Sequence, residues 1–276
     1  MQAQQRLPIY TSAVLSGPIC GMLGLNWSEV MARAGLVPTD RNDRGFLVSA
    51  DAYLRLWTAM MELSATPDVS RLLGLRMASG PAIPVLFAMS TAPDFETGIT
   101  RMAAFKSLFG PMQFEVSRTA TEFSVRVAAD VATAALPPTF SSPQIIYLHA
   151  SAKALARHPF AALRVTLPLP LEERERLAEL FGRLPAEGEP RLTYARADVR
   201  VPFVSENPEL WQATEADLQS QAMIQSKGLP LADQVRASML EAFSITEPTI
   251  AHVCGRLRLS RSTLLRRLGE ERTTFQ

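Results

Sequence analysis

The amino-acid sequence predicts an α+β fold in two parts. Apolar residues recur at helical spacing up to about residue 110, alternate with polar residues between Phe114 and Val127, and mark two short basic helices after Pro248. The chain has 276 residues, of which 47% are hydrophobic and 20% charged. These values are typical of a globular protein with more than one domain. We therefore expect an N-terminal domain of helices and a mixed or antiparallel sheet, followed by a small all-α helix-turn-helix segment.

The part of the chain before residue 110 is predicted to be mainly helical. Gly17-Pro18 should interrupt the apolar segment 11–23, because proline removes a helical hydrogen bond. Four later segments have an apolar face at helical spacing, and a polar side chain can cap two of them. The four predicted helices are 26–34 with its cap at Asn26, 50–64 after Ser49, 69–77, and 95–109 with its cap at Asp94.

Alternating patterns place the sheet in the middle of the chain. Phe114 and Val116, and then Phe123 to Val127, alternate with polar residues, which predicts a hairpin that turns between Arg118 and Glu122. Shorter alternations predict strands at 163–167, 192–194 and 199–203. Helical spacing predicts helices at 145–156 with Pro143 in the first turn, at 171–181, and at 209–225.

Turn-forming and charged residues suggest the domain boundaries. Ser226-Lys-Gly-Leu-Pro230 is rich in residues that end helices, so we expect a first domain at 1–205, a helix and linker at 206–230, and a second domain at 231–276. The net charge of the chain is +1, but residues 246–276 contain six arginines and three acids, which leaves +3 there and −2 on the rest. The basic part of the chain is therefore its C-terminal segment.

Residues 249–268 carry the most informative pattern. Apolar residues share one face of a first short helix, and Ser260 is a good N-cap for a second one. The connection at Arg258 and Leu259 is too short for antiparallel packing, so the two helices must cross steeply, as in a helix-turn-helix. The residues expected in its small core are Ile250, Val253, Leu257, Leu259, Leu264 and Leu268.

The outward face of this unit is expected to contact double-stranded DNA. Arginine can bond guanine with two nitrogens in the major groove, and an apolar residue such as Leu265 can contact a thymine methyl group. The residues expected to contact DNA are Arg258, Arg261, Ser262, Leu265 and Arg266. The alternative is a helical hairpin whose basic face is solvated or serves as a protein interface, and salt dependence distinguishes the two.

These residues resemble the first helix-turn-helix of AraC-type transcription regulators. The family pattern is carried here by Ile250, Ala251, Leu257, Ser260, Leu264, Arg266, Leu268 and Phe275. The rest of the chain is similar to the subgroup with an arabinose-binding-like N-terminal domain. That similarity rests on Gly24-Leu25 to Ala34-Gly35-Leu36, Leu54-Arg-Leu-Trp57, Gly74-Leu75-Arg76, and Leu167-Pro-Leu-Pro170 to Phe181-Gly182.

The resemblance implies a ligand-responsive regulator that binds DNA. Its N-terminal domain would bind an unidentified small-molecule effector and form a homodimer. Regulators of this type have two helix-turn-helix units, and the sequence contains the pattern of the first, so we expect a truncated chain with weak DNA binding. Methionine and phenylalanine between Met60 and Met112 suggest an apolar pocket between the helices before Gly110 and the sheet, with ordinary core packing as the alternative.

The sequence argues against several other classes of protein. The two cysteines, Cys20 and Cys254, make no disulfide framework, and no apolar run reaches the length of a membrane helix, so we expect a cytoplasmic chain without a membrane partner. The three histidines lack metal-ligand spacing, and no phosphate loop or nucleophile elbow is present. We therefore expect no metal site, no cofactor and no enzymatic activity.

Overall fold

The N-terminal part of the chain is mainly helical, as the sequence predicts. The computed structural model describes residues 9–36, 47–79, 83–130, 135–226, 231, 235, 249–257, 259–271 and 273–274. The elements before the main sheet are β1 (Ile9–Thr11), a π-helical turn (Leu15–Ile19), α1 (Cys20–Leu23), α2 (Trp27–Arg33), β2 (Leu47–Ser49), α3 (Ala50–Ser64), α4 (Val69–Ser79), α5 (Pro84–Ser90), α6 (Phe95–Phe105) and a 3-10 helix (Lys106–Phe109). β1 pairs antiparallel with β2.

The two predicted N-caps are confirmed. The side chain of Asn26 accepts a hydrogen bond from the backbone N–H of Ser28 at 2.9 Å, and that of Asp94 accepts one from the N–H of Thr97 at 2.7 Å. Each cap satisfies an N–H group that has no partner within its own helix. The positions where α2 and α6 begin were therefore readable from the sequence.

The middle of the chain forms a mixed five-stranded sheet, so the predicted α+β class is confirmed. Its elements and those that follow it are β3 (Met112–Arg118), β4 (Glu122–Ala129), α7 (Pro138–Leu155), β5 (Arg164–Leu167), α8 (Leu171–Arg176), α9 (Ala178–Phe181), β6 (Ala186–Glu187), β7 (Arg191–Ala195), a 3-10 helix (Asp198–Arg200) and α10 (Pro208–Ser226). The strand order is β3-β4-β7-β5-β6, in which β5 and β6 pair in parallel and the other neighbours antiparallel. The predicted hairpin is β3-β4, with Phe114 opposite Val127.

Helix α7 lies at the centre of this domain. It packs against α4, α5, β4, β5 and β7, and all residues from Phe140 to His149 are buried. The contact with α4 depends on Gly74, where an added Cβ would lie 2.5 Å from the Cβ of Ile146 and 2.9 Å from the carbonyl oxygen of Pro143. Only glycine allows the two helices to approach this closely.

Four sequence-based expectations are wrong in detail. Pro143 lies inside α7 rather than in its first turn, because the buried apolar surface extends the helix back to Pro138. The predicted strand 199–203 is a 3-10 helix followed by an isolated bridge from Phe203 to Ala156. The helix expected at 171–181 divides at Leu177, and the helix expected to reach Phe109 ends at Phe105. Helix α5 and the short strands β1, β2 and β6 were not predicted.

The methionines between Met60 and Met112 pack in the core. Met60, Met89 and Met102 are fully buried among the apolar residues of α3, α5 and α6. Lys106 is also buried; its Nζ donates a hydrogen bond to Oε1 of Gln144 at 2.7 Å and lies 4.9 Å from the ring centroid of Phe114. Burial lowers the pKa of this lysine to about 7.

No single helix in the described part of the chain is long and apolar enough to cross a membrane. The bent pair α4 and α5 reaches the required length and composition only when the two helices are taken together.

His149 is held in one neutral form within the core. Its Nε2 lies 3.1 Å from the carbonyl oxygen of Leu180, which can only accept, so Nε2 carries the proton and Nδ1 accepts from the hydroxyl of Tyr194 at 2.8 Å. The pKa of His149 is lowered from 6.5 to about 4, mainly by desolvation; the hydrogen bond with Leu180 opposes the shift, and the nearby charge of Lys153 adds to it. The histidine therefore ties α7 to β7 without carrying a charge.

We expect Gly74→Ala to destabilise the chain by about 1–3 kcal/mol, because the added methyl group overlaps Ile146 and Pro143. Gly21→Ala in α1 is the matched control, since an added Cβ there meets no atom within 4 Å and alanine favours a helix. Urea unfolding of both variants measures the difference. Equal stability of the two variants would contradict the close packing of α4 on α7.

We expect the chain to lose stability as the pH falls from about 6.5 to about 4. The folded state holds His149 neutral with a pKa of about 4, whereas the unfolded state takes up the proton near 6.5, so protonation favours unfolding within that window. The loss should reach about 3 kcal/mol, since each pKa unit corresponds to about 1.36 kcal/mol. Urea unfolding at a series of pH values measures it, and an imidazole resonance of His149 that titrates near 6.5 in the folded state would contradict it.

Candidate nucleic-acid interface

The C-terminal part forms the two predicted helices. They are α11 (Ile250–Leu257) and α12 (Arg261–Glu270), separated by three residues. The backbone N–H of Leu259 donates to the carbonyl oxygen of Cys254 at 3.0 Å, which closes the turn after α11. Arg258, a predicted DNA contact, lies outside the described residues.

Ser260 caps α12, as the sequence predicts. Its backbone is extended, and its Oγ accepts a hydrogen bond from the N–H of Thr263 at 3.2 Å. The hydroxyl groups of Ser262 and Thr263 lie 3.0 and 2.8 Å from the same Oγ. The unpaired N–H groups and the positive end of the helix dipole therefore lie at the residues that would meet a phosphate group.

A small separate core holds the two helices together. Val253 and Leu264 are fully buried and Leu268 is 2% exposed. Leu231 and Val235 complete the buried cluster, and the partly buried residues around it are Ile250, Cys254, Leu257 and Leu259. All six residues predicted for this core belong to the cluster.

The predicted DNA-facing residues on α12 are exposed on one side of the helix. Arg261, Ser262 and Arg266 are exposed, and Leu265 is 43% exposed. In the free chain the hydroxyl of Ser262 is hydrogen-bonded to Ser260, and Arg266 forms an ion pair with Glu270. The structure thus brings four of the five predicted residues onto one surface.

Sequence reasoning missed the partner of Arg266 and one further exposed cation. Glu270 follows Arg266 by four residues, and that spacing alone places two side chains side by side on a helix. Arg267 is also exposed, but it lies about 100° around the helix axis from Arg266 on the side opposite to Leu265, outside the arc that holds the four predicted residues. The ion pair with Glu270 partly neutralises the positive charge of Arg266. A hydrogen-bond acceptor stronger than this glutamate would have to displace it.

The N-terminal domain contains a cavity of about 600 Å³ beside α6 and α10. Its walls carry six charged residues together with Trp211 and Phe105, and the methionines of the core do not line it. This cavity is therefore not the apolar pocket among methionines that the sequence suggests. Within the described residues, no group of three or more histidines, cysteines and carboxylates is placed to hold a metal ion.

The chain thus has an α+β domain followed by two short helices on a small core of their own, the second with exposed basic residues. Residues 24–203 match the family model described as the arabinose-binding domain of AraC transcription regulators, N-terminal. The chain belongs to this family of AraC-type transcription regulators, and the resemblance found in the sequence is confirmed. The matched region ends before α10 and does not include the two C-terminal helices.

Other comparisons add little to the family match. The crystal structure of the transcriptional regulator CdpR from Pseudomonas aeruginosa is similar to this chain with a TM-score of 0.44 and 18% sequence identity, over 90% of this chain and 79% of that one. No curated protein matches the chain.

We expect Leu264→Ala to destabilise the helix-turn-helix unit by about 2–5 kcal/mol, because it leaves a cavity in a core of few residues. Leu265→Ala, one position further along and exposed, should change stability by less than about 0.5 kcal/mol. Amide hydrogen exchange of α12 in the two variants measures this difference. Similar protection in both variants would contradict the assignment of the buried face.

Proposed function

We propose that this chain is a ligand-responsive, DNA-binding transcription regulator. Helix α12 enters the major groove of double-stranded DNA, and the N-terminal domain binds a small-molecule effector. The observation that carries the proposal is the capped, basic face of α12 above its own apolar core, on a chain that belongs to a family of transcription regulators.

The exposed side chains of α12 divide into two roles. Arg266 and Leu265 lie on the outward face beyond the first turn, where side chains meet base edges in the major groove, and Ser262 lies one turn before Arg266. Arg261 follows the cap directly, where the helix N-terminus favours a phosphate group. To contact a base, Arg266 gives up its exposed ion pair with Glu270. Such a pair stabilises the free chain by at most about 1 kcal/mol.

Regulation would follow from a shift between two arrangements of the chain. An effector that binds one arrangement more tightly raises the population of that arrangement. The difference in binding free energy between the two arrangements sets the size of the shift. Helix α10 is the element of the N-terminal domain that precedes the helix-turn-helix unit in the sequence, and its Trp211 packs beside Phe105. As a homodimer in the cytoplasm, the regulator would present two such units to the two halves of a DNA site.

We expect Arg266→Ala to cost about 1–3 kcal/mol in binding to a preferred duplex and to relax the preference at one base pair. Fluorescence anisotropy measures it with a duplex selected from a random pool and with a scrambled duplex. Arg267→Ala is the matched control, since it removes the same charge from an exposed position outside the arc of Arg261, Ser262, Leu265 and Arg266, and it should leave the ratio of the two affinities unchanged. An unchanged ratio for Arg266→Ala in a folded chain would reject this DNA-facing surface.

We expect Arg261→Ala to weaken binding to both duplexes about equally and to lower the slope of log affinity against log salt by about 1, because one phosphate contact is lost. Titrations at about 50 mM and about 200 mM salt determine the slope. Binding of DNA without any salt dependence would favour the alternative in which this helical hairpin is a protein interface.

A further inference from the structure

The cavity beside α10 lies where the N-terminal domain meets the helix that leads onward to the helix-turn-helix unit. It is bounded by α6, by the end of β3 at Arg118, by the 3-10 helix at Arg200, and by Trp211 and Glu215 of α10. A molecule bound there would touch both the domain and this helix. Its volume of about 600 Å³ accommodates a small metabolite.

The charge cluster around Glu96 in the cavity lining has an excess of positive charge. Glu96 is 15% exposed and accepts hydrogen bonds from Nε of Arg118 at 2.8 Å, from Nε of Arg200 at 2.9 Å and from Nη2 of Arg196 at 3.4 Å. Desolvation raises the pKa of Glu96, but the hydrogen bonds from Arg200 and Arg118 and the charge of Arg196 outweigh it, so that the pKa is lowered and the carboxylate stays ionised. One negative charge thus meets three positive ones.

The hydrogen bonds to Glu96 leave the ends of the arginines available. Glu96 holds Arg200 through Nε, and no described residue accepts a hydrogen bond from its Nη1 or Nη2. The two terminal nitrogens of a guanidinium group bind a carboxylate in parallel. Arg118 is fixed similarly, with its Nη2 bonded to Oγ1 of Thr100 at 2.9 Å. Glu96 therefore orients two arginines toward the cavity without occupying all of their donors.

A second charge cluster of the lining, around Arg101, has an excess of negative charge. The guanidinium carbon of Arg101 lies 4.6 Å from the ring centroid of Trp211, and the group interacts electrostatically with Glu215 and Asp94 of the lining and with Glu206 outside it. Desolvation lowers the pKa of Arg101, and these three acids act against the shift. The carboxylate of Asp94 is engaged as a cap through one oxygen only. In this part of the lining, two carboxylates thus accompany one guanidinium group.

We propose that this cavity binds a small zwitterion with a carboxylate and an ammonium group on a short carbon chain, as in a free amino acid, and that this molecule is the effector. The ligand carboxylate binds Arg200 and Arg118, the ammonium group faces Glu215 and Asp94, and the carbon chain packs on Trp211. A ligand with one charge would leave the other charge cluster uncompensated. The inference that this molecule acts as the effector rests on the proposed function, whereas the inference of the binding site does not.

Isothermal titration of the 276-residue chain with each common L-amino acid tests the binding. We expect at least one of them to bind saturably. For that amino acid, the matched acid without the amino group and the matched amine without the carboxylate should each bind at least about tenfold more weakly, because each loses one charge-assisted contact. Absence of binding by every amino acid, or equal binding of either matched analogue, overturns the proposal.

Two variant pairs locate the site. Arg200→Gln should weaken binding by about tenfold or more. Arg164→Gln should leave it unchanged, because Arg164 is 60% exposed and paired with Glu122 much as Arg200 is 59% exposed and paired with Glu96. Glu215→Gln should weaken binding, and Asp217→Asn, on the same helix but outside the lining, should not. Unchanged affinity in Arg200→Gln and Glu215→Gln overturns the assignment of the cavity.

Anisotropy titrations with DNA, with and without the bound amino acid, separate this inference from the proposed function. A change in DNA affinity that is lost in Arg200→Gln and kept in Arg164→Gln supports both. If the amino acid binds at the cavity and DNA affinity does not change, the effector assignment is overturned although the site stands. If another molecule changes DNA affinity and no amino acid binds, the regulator stands and the cavity assignment is overturned.

Discussion

The close approach of α4 to α7 at Gly74 and Ile146 is the constraint on which the N-terminal domain depends. It allows α7 to be covered on one side by helices and on the other by the sheet. A helix covered in this way must satisfy its polar side chains inside the core. His149 does so with Tyr194 and Leu180, and Gln144 with Lys106, so that the buried polar groups also fix how α7 meets its neighbours.

The same packing explains why a charged cavity persists at the edge of this domain. Lys106 directly follows α6 and is held to α7 through Gln144, so the C-terminal end of α6 is anchored in the core. The N-terminal end of α6 carries Glu96, which forms ion pairs with arginines of β3 and of the region after β7. Long side chains that would otherwise sample many rotamers are thereby held in defined positions beside α10, at little further entropic cost on binding.

In the two C-terminal helices, stability and surface charge depend on different sets of residues. Their buried cluster is small, so stability depends on a few apolar side chains, whereas their exposed face is free to carry charge. Leu264 and Leu265 show the division most clearly, since neighbours in the sequence occupy the inside and the outside of one helix. Separate cores allow the two parts of the chain to vary independently.

The sequence by itself determined the features that depend on local periodicity. The β3-β4 hairpin, the caps at Asn26, Asp94 and Ser260, and the inward and outward faces of α12 follow from spacing along the chain, because each involves residues within one or two turns. Tertiary structure decided what depends on distant partners: the extension of α7 past Pro143, the burial of Lys106, and the meeting of Glu96 with Arg200 across about a hundred residues. No local pattern encodes such contacts, because they exist only once the core has brought the elements together.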